Sequence, residues 1–208
     1  MTELNPSSLK LIGGWLCLDF INTVDCRNSD HSRENLSTYY SLISWSQHAN
    51  ILTEDEARYM LREATLHPAN AKMILERAIT IREALYRIFY AIANHRPPNA
   101  ADISTLNKEM SISTAQMRLK PAGMTDPWKF TFEEKKLDRM LWLIIHSATE
   151  LLTSDKLNRV CECQGENCGW LFLDMSRNRS RKWCDMKDCG NRAKAQRHYQ
   201  ITRAKHSR

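Results

Sequence analysis

The chain has 208 residues, 42% hydrophobic and 26% charged, which is the composition of an ordinary globular protein long enough to bury a core without disulfides. Eleven basic and two acidic residues give residues 177–208 a formal charge of +9, and the whole chain carries +6, so the rest carries −3. Because the first apolar stretch is broken by glycine, aspartate and asparagine, we expect no secretory signal, no membrane partner and a reducing, cytoplasmic location.

Most of the first 155 residues are predicted to be helical. Apolar residues at three- and four-residue spacing favour helices over residues 35–49, 68–96 and 137–152. Capping residues at positions 53 and 99 predict two more, over residues 53–64 and 99–110. Thr53 and Glu56 have the spacing of a capping box, in which each side chain satisfies a backbone donor of the first turn. Pro97 ends the longest helix because proline lacks a backbone N–H. Residues 9–26 are apolar with a glycine pair, which predicts a turn followed by a buried helix or strand.

Two other segments depart from the helical pattern. Residues 115–132 alternate apolar and polar side chains on both sides of a Pro-Ala-Gly turn, which predicts a β-hairpin. Thr153-Ser154-Asp155 is the expected domain boundary. We therefore predict a mainly α protein, with a helical domain containing a small hairpin over residues 1–155 and a smaller unit over residues 156–208.

Four of the seven cysteines form two Cys-x4-Cys pairs, Cys163 with Cys168 and Cys184 with Cys189. The segment between the pairs is long enough for one hairpin. Zn²⁺ prefers tetrahedral coordination by thiolates, and a unit of about 45 residues has too small a core to fold without such help. We predict one Zn²⁺ in a domain of one hairpin and one helix. The metal is expected to be structural, because four thiolates leave no position for a catalytic water.

Other residues compete with this assignment. Cys161 lies two residues before Cys163 and offers a substitute ligand, although it would break the equal spacing of the pairs. His198 is a second substitute, but a histidine in a basic helix is usually solvated. Cys17 and Cys26 are expected to be buried thiols of the first domain. The alternative to a metal site, four free or core cysteines, fits poorly with a polar and basic segment.

Several strings of residues resemble known bacterial families. Resemblance to the CGNR zinc finger is carried by Cys189-Gly-Asn-Arg192, by Cys168-Gly-Trp-Leu-Phe-Leu-Asp174 and by Ser176-Arg-Asn-Arg-Ser-Arg-Lys-Trp-Cys184. Resemblance to the ABATE domain, which usually precedes this finger, is carried by Gly13-Gly-Trp-Leu-Cys-Leu-Asp-Phe-Ile-Asn-Thr23 and by Ile81-Arg-Glu-Ala-Leu85. Together the two domains that these strings indicate would cover nearly the whole chain.

The resemblance implies a stress-related transcriptional regulator, in which a mostly helical sensing domain precedes a DNA-binding zinc finger. It also assigns the zinc ligands to Cys163, Cys168, Cys184 and Cys189, and the extra Cys161 departs from the family pattern.

The basic end of the chain predicts a nucleic-acid partner, with DNA favoured. The candidate contacts lie near the expected hairpin turn and on a helix predicted over residues 191–204; they are Arg177, Arg179, Arg181, Lys182, Arg192, Lys194 and Arg197. Lysine and arginine bind phosphates, and a helix fits the major groove of DNA. A solvated tail is the alternative. Trp170 and Trp183 could stack on bases, but tryptophan beside zinc cysteines more often shields the site.

Four residues of the first domain are candidates for an effector pocket: Asp19, Asn22, Trp45 and Arg82. Three of them are polar groups inside apolar segments, where a buried side chain needs a partner. That partner is either an unknown small-molecule effector or another side chain, in an internal cluster that ties the first segment to the long helix.

Three functions are open from the sequence. We favour a DNA-binding regulator whose first domain senses a ligand or a partner, and the alternative is a zinc-knuckle adaptor for RNA or an acidic protein. We expect no enzyme, the third reading, because the sequence lacks a glycine-rich phosphate loop, a nucleophile elbow and a histidine pair at metal spacing. Short operators are usually read by symmetric dimers, so a homodimer is open, although no heptad pattern indicates one.

Overall fold

The computed structural model describes residues 9–123, 128–132 and 136–206, the last three by their backbone alone. The described residues form seven α-helices: α1 (Leu16–Ile21), α2 (Tyr39–His48), α3 (Glu54–Leu66), α4 (Pro68–Ala93), α5 (Ala100–Ala115), α6 (Arg139–Leu152) and α7 (Asn191–His206). They also form six strands: β1 (Val24–Asp25), β2 (Arg33–Glu34), β3 (Met117–Pro121), β4 (Trp128–Phe132), β5 (Val160–Glu162) and β6 (Leu171–Leu173). The mainly α prediction is confirmed.

Two parts of the sequence predictions fall outside this description. Residues 124–127 of the predicted hairpin and Arg208 of the basic end lie outside the described residues. Within the described ranges, no helix has both the length and the apolar character needed to cross a membrane.

Helices α3 and α5 begin directly after the capping residues Thr53 and Asn99, as predicted. Helix α2 begins at Tyr39 with Thr38 as its cap, four residues after the predicted start. The Thr53 hydroxyl accepts the N–H of Glu56, and the Glu56 carboxylate accepts the N–H of Thr53 at 2.7 Å, so the capping box of α3 is confirmed. Helix α5 runs past Met110, where the sequence analysis ended it. It continues because Ser113 is buried against α6 and donates a hydrogen bond to the Trp142 carbonyl.

Helix α1 is buried against both α4 and α6. The apolar run that could have been a strand is therefore a helix, and four of its side chains are fully buried: Cys17, Leu18, Phe20 and Ile21. The Trp15 indole donates a hydrogen bond to the Ser147 carbonyl, and the Ser147 hydroxyl accepts the N–H of Cys17. These contacts attach the start of α1 to α6.

A tight turn precedes α1. The Gly13 N–H donates to the Asp19 carboxylate at 2.7 Å. A Cβ atom at Gly13 would lie 2.8 Å from the Leu18 Cβ, so no side chain fits there. Burial raises the pKa of Asp19 to about 6, although the Gly13 N–H and the nearby His48 oppose the shift. The turn therefore depends on a glycine and on a carboxyl group that is protonated more readily than usual.

Strands β3 and β4 form the hairpin that the sequence predicts. They pair antiparallel, with Met117 opposite Phe132 and Pro121 opposite Trp128. Phe132 packs against Trp142 of α6 with 6.1 Å between the ring centroids, so the base of the hairpin is anchored on the helical body.

The hairpin of the C-terminal unit is not where the sequence analysis places it. We expected it between the two cysteine pairs, but β5 and β6 enclose the first pair, and residues 174–185 contain no strand. Strand β6 is entirely buried and pairs back to β5, with Leu173 opposite Val160. The Asp174 carboxylate then accepts the N–H groups of Ser176 and Arg181, which closes the following segment into a turn.

The substitution Asp19→Asn should change how stability depends on pH. The pKa of the folded Asp19 is raised, so the folded protein holds this proton more tightly than the unfolded chain. Its contribution is therefore fully present below about pH 4 and is lost as the pH rises through about 6. The asparagine does not titrate. The melting temperature of the variant should therefore rise relative to that of the wild type as the pH increases from about 4 to about 6. A difference independent of pH would contradict the burial of this carboxyl group.

Candidate metal centre and its contacts with the body

The four paired cysteines converge at one point. Their sulfur atoms all lie within 4.8 Å of one another. The sulfurs of Cys168 and Cys184 are 3.6 Å apart, and those of Cys184 and Cys189 are 3.7 Å apart. Four sulfurs placed tetrahedrally at a Zn–S distance of about 2.3 Å are separated by about 3.8 Å. The spacing of the sulfurs therefore fits a bound zinc ion.

Each pair of ligands is presented by a short loop. Cys163 and Cys168 lie in the connection of the β5–β6 hairpin, and Cys184 and Cys189 lie before and within a π-helical turn that leads into α7. The backbone N–H groups of Gly165 and Cys184 donate to the Cys163 sulfur at 3.4 and 3.3 Å. Such donors favour the thiolate form, which is the form that binds a metal.

The sulfurs compete with one another for protons. Hydrogen bonds from Cys168 and Cys184 lower the pKa of Cys163, and the contact with Cys163 raises the pKa of Cys184. A divalent cation removes this competition because all its thiolate ligands are deprotonated. Four soft ligands in a complete shell fit one structural Zn²⁺ with no open coordination position.

The competing ligands lie outside this cluster. Cys161 is in β5, opposite Phe172, and His198 is exposed on α7. In the part of the chain that the structure describes, neither belongs to the converging group of ligand atoms. The choice of Cys163 over Cys161 is therefore confirmed.

Comparison with known families agrees with this centre. The ABATE family, described as a putative stress-induced transcription regulator, matches residues 14–155. The chain belongs to the ABATE family. The CGNR zinc finger matches residues 159–201, which include all four cysteine ligands. Both resemblances drawn from the sequence are thereby confirmed, while a search of curated proteins finds no match.

The structure explains the Cys-Gly-Asn-Arg string of the CGNR finger. Cys189 is a ligand, and the Gly190 N–H donates to the Asp185 carbonyl at 3.1 Å, which closes the π-helical turn. The Asn191 amide donates to another carbonyl of the same turn at 3.0 Å. The Arg192 guanidinium donates to the Cys189 sulfur at 3.4 Å and offsets part of its negative charge.

Two buried hydrogen bonds join Asn22 of the ABATE domain to the finger. The Asn22 side-chain nitrogen donates to the Leu171 carbonyl at 2.8 Å, and its side-chain oxygen accepts the Leu171 N–H at 3.0 Å. The amide thus pairs with the outer edge of β6 as a neighbouring strand would. Beside it, the Trp170 indole donates to the Val24 carbonyl at 2.9 Å. Trp170 is buried there against the ligand cysteines.

Three further contacts extend this joint, by which we mean the contact between residues 10–28 and the finger. The Leu173 N–H donates to the Gly13 carbonyl at 2.8 Å. The Lys10 ammonium binds the carboxylates of Asp185 and Asp188 at 2.5 and 2.6 Å. The second cysteine loop is therefore also tied to the start of the described chain.

Arg181, a predicted nucleic-acid contact, lies in the joint. Its guanidinium stands over the Phe172 ring, 4.3 Å from the centroid. It donates to the carbonyls of Trp183 and Ile12 at 3.1 and 3.3 Å and also to that of Cys184. A phosphate could use this guanidinium only at the expense of these contacts.

The other six predicted nucleic-acid contacts are exposed: Arg177, Arg179, Lys182, Arg192, Lys194 and Arg197. They lie in two groups, one on the turns between residues 174 and 185 and one on α7. Among the described residues, only Arg192 of the six has a side-chain hydrogen bond, and it goes to Cys189. Helix α7 is exposed over residues 191–203 except at Ala193, which is half-buried.

The four candidate effector residues make separate contacts. Asp19 binds the turn before α1, and Asn22 binds the finger. Trp45 is fully buried in the core. Arg82 is buried and pairs with Glu34 through two hydrogen bonds of 2.6 Å. The polar groups of Asp19, Asn22 and Arg82 thus have partners within the protein, but these residues do not form the single internal cluster that the alternative describes. The effector pocket stays a prediction.

Sequence reasoning missed Lys10 and the joint as a whole. Lys10 carries no local signal, because its carboxylate partners lie 175 and 178 positions further along the chain. Asn22 did carry a signal as a polar residue in an apolar run. Its partner is a backbone group, however, and no sequence pattern marks a backbone group.

The substitution Cys163→Ser should abolish stoichiometric zinc binding, because three thiolates and a hydroxyl hold Zn²⁺ far less tightly than four thiolates. The matched control is Cys161→Ser, two positions away, which should keep one zinc per chain. Metal analysis of the purified proteins measures both. Loss of zinc in the control together with retention in Cys163→Ser would reverse our ligand assignment.

The substitution Asn22→Ala should lower the free energy of unfolding by about 2–4 kcal/mol, because it leaves both the N–H and the C=O of Leu171 buried and unpaired. The control is Asn28→Ala. This exposed amide makes one hydrogen bond, to Glu162, and its loss should cost less than about 1 kcal/mol. Urea denaturation compares the two variants, and equal losses would argue against a special contribution of the two buried Asn22 hydrogen bonds.

Proposed function

We propose that the protein binds duplex DNA through its CGNR finger and regulates transcription in response to a ligand or partner sensed by its ABATE domain. One observation carries the proposal. Five exposed cationic side chains of the finger make no hydrogen bond or ion pair with another described residue: Arg177, Arg179, Lys182, Lys194 and Arg197. Cations left free on one small unit are suited to a polyanion.

The distribution of charge supports the same partner. Residues 177–208 carry +9 and the remainder of the chain −3. A nucleic acid is therefore attracted to the finger and repelled by the body, which orients the protein on its partner before contact.

Helix α7 is suited to a groove of the duplex. Its 16 residues span about 24 Å, and a helix of ordinary width fits the major groove. Because α7 has almost no buried face, packing contributes little to its stability. Contacts between its basic side chains and phosphates would stabilise it. The helix starts two residues after Cys189, so zinc would fix its direction.

The joint offers a route from sensing to binding. Asn22 of the ABATE domain and Gly13, directly before that domain, hydrogen-bond to β6. Strand β6 follows the first pair of ligands in sequence, while Lys10 holds the loop of the second pair. A ligand that moved the segment before α2 would therefore act directly on the loops that carry the metal and α7.

Zinc-loaded protein should bind labelled duplex DNA in fluorescence anisotropy, with log K falling linearly with log salt by about 0.9 per phosphate contacted. Removing four finger cations should reduce the slope by about 3–4 and weaken binding at least about tenfold. The variant combines Arg177→Ser, Lys182→Ser, Lys194→Ala and Arg197→Ala.

The control removes the same charge from the ABATE domain through four exposed cations: Arg62→Ser, Lys72→Ser, Arg96→Ser and Lys108→Ser. It should keep the slope of the wild type. Chelation of zinc should abolish binding. Absence of binding at low salt would overturn the proposal. A preference for single-stranded RNA over duplex DNA would also overturn it, in favour of the adaptor.

A further inference from the structure

The β3–β4 hairpin has one apolar face and one polar, basic face. Residues opposite each other in an antiparallel pair share a face, and side chains alternate along each strand. The register therefore places one group together on the first face: Met117, Leu119, Pro121, Trp128, Phe130 and Phe132. The second face has Arg118, Lys120, Lys129 and Thr131.

Only the base of the apolar face is covered. Phe132 is 6% exposed and packs on Trp142. Further along the same face, Leu119 is 55% exposed, Phe130 60% and Trp128 65%. Since a large apolar side chain covers about 150–250 Å², these three expose roughly 400 Å². The patch continues the core surface of α6 outward, because the Phe130 ring also contacts His146 at 6.4 Å.

A ribbon of two strands needs such a face to be covered. An isolated two-stranded hairpin is marginally stable in water, and packing on another layer stabilises it. A patch of about 300–600 Å² is the size of the largest apolar patch on a typical soluble monomer, and such a patch is often functional. In the described part of the chain, the outer half of this ribbon has no such layer.

We infer that the apolar face of β3–β4 is a homodimer interface, covered by the same face of a second copy. A two-fold interface brings a patch against itself, so the patch must be self-complementary. This face carries no charged side chain, whereas the opposite face carries three cations that would repel their own copies.

The area fits a weak dimer that forms at high protein concentration. A standard interface buries about 800 Å² on each partner, and the three exposed side chains supply about half of that. The half-buried His146 of α6 lies next to Phe130 and extends the surface. Face-to-face packing of two ribbons forms the layer that each lacks and leaves both basic faces outward.

Sedimentation velocity of the full-length, zinc-loaded protein from about 1 to 200 μM tests this interface. The wild type is expected to form dimers within this range, as fits an interface of modest size. The double variant Trp128→Ser, Phe130→Ser is expected to raise the dimer dissociation constant at least tenfold. Both side chains are exposed, so circular dichroism and zinc content should remain those of the wild type.

The matched control is Lys129→Ser, which lies between the two substituted residues but on the opposite face. It should leave the dissociation constant within twofold of the wild-type value. A wild type that is monomeric at the highest concentration overturns the inference, including the case in which it instead binds lipid vesicles. A dimer that survives the double variant, or that Lys129→Ser disrupts equally, also overturns it.

Discussion

The convergence of four cysteine sulfurs is the constraint on which the finger depends. The finger's own buried cluster holds few side chains besides the ligands, chiefly Trp170 and Phe172. The other buried side chains of β5 and β6 belong to the core of the body; they are Val160, Leu171 and Leu173. Such a unit cannot offset its conformational entropy by apolar burial alone. Zinc binding supplies the missing free energy and fixes both loops at once. Since α7 begins two residues after Cys189, the position of the basic surface depends on the same metal.

The joint makes the finger part of the body. Strand β6 hydrogen-bonds to Asn22 and Gly13, Trp170 to Val24, and the second loop to Lys10. The segment that makes these contacts, residues 10–28, also contains α1, which is buried against α4 and α6. A rearrangement among these helices would therefore reach the metal loops through a few hydrogen bonds, as regulation of the proposed kind requires.

Features that depend on residues close together in the sequence were predicted correctly. The capping box at Thr53, the period-two hairpin and the ligand set from Cys163 to Cys189 each follow from short spacings. What failed depends on distant partners. Helix α5 extends beyond its predicted end because Ser113 packs on α6. From the sequence, Arg181 is one more basic residue of the finger that could contact a nucleic acid. In the structure, its guanidinium contacts the Phe172 ring and nearby carbonyls within the joint. Spacing does not encode such contacts.

Hydrogen exchange measured with and without zinc tests most directly whether the metal supports both the finger and the joint. On removal of zinc, exchange should rise together in residues 160–190 and in residues 10–28, which form the other side of the joint. Helices α3 and α5, which lie outside the joint, should exchange as before. If residues 10–28 kept their protection while the finger lost its own, the joint would not depend on the zinc-built unit, and the account would be contradicted.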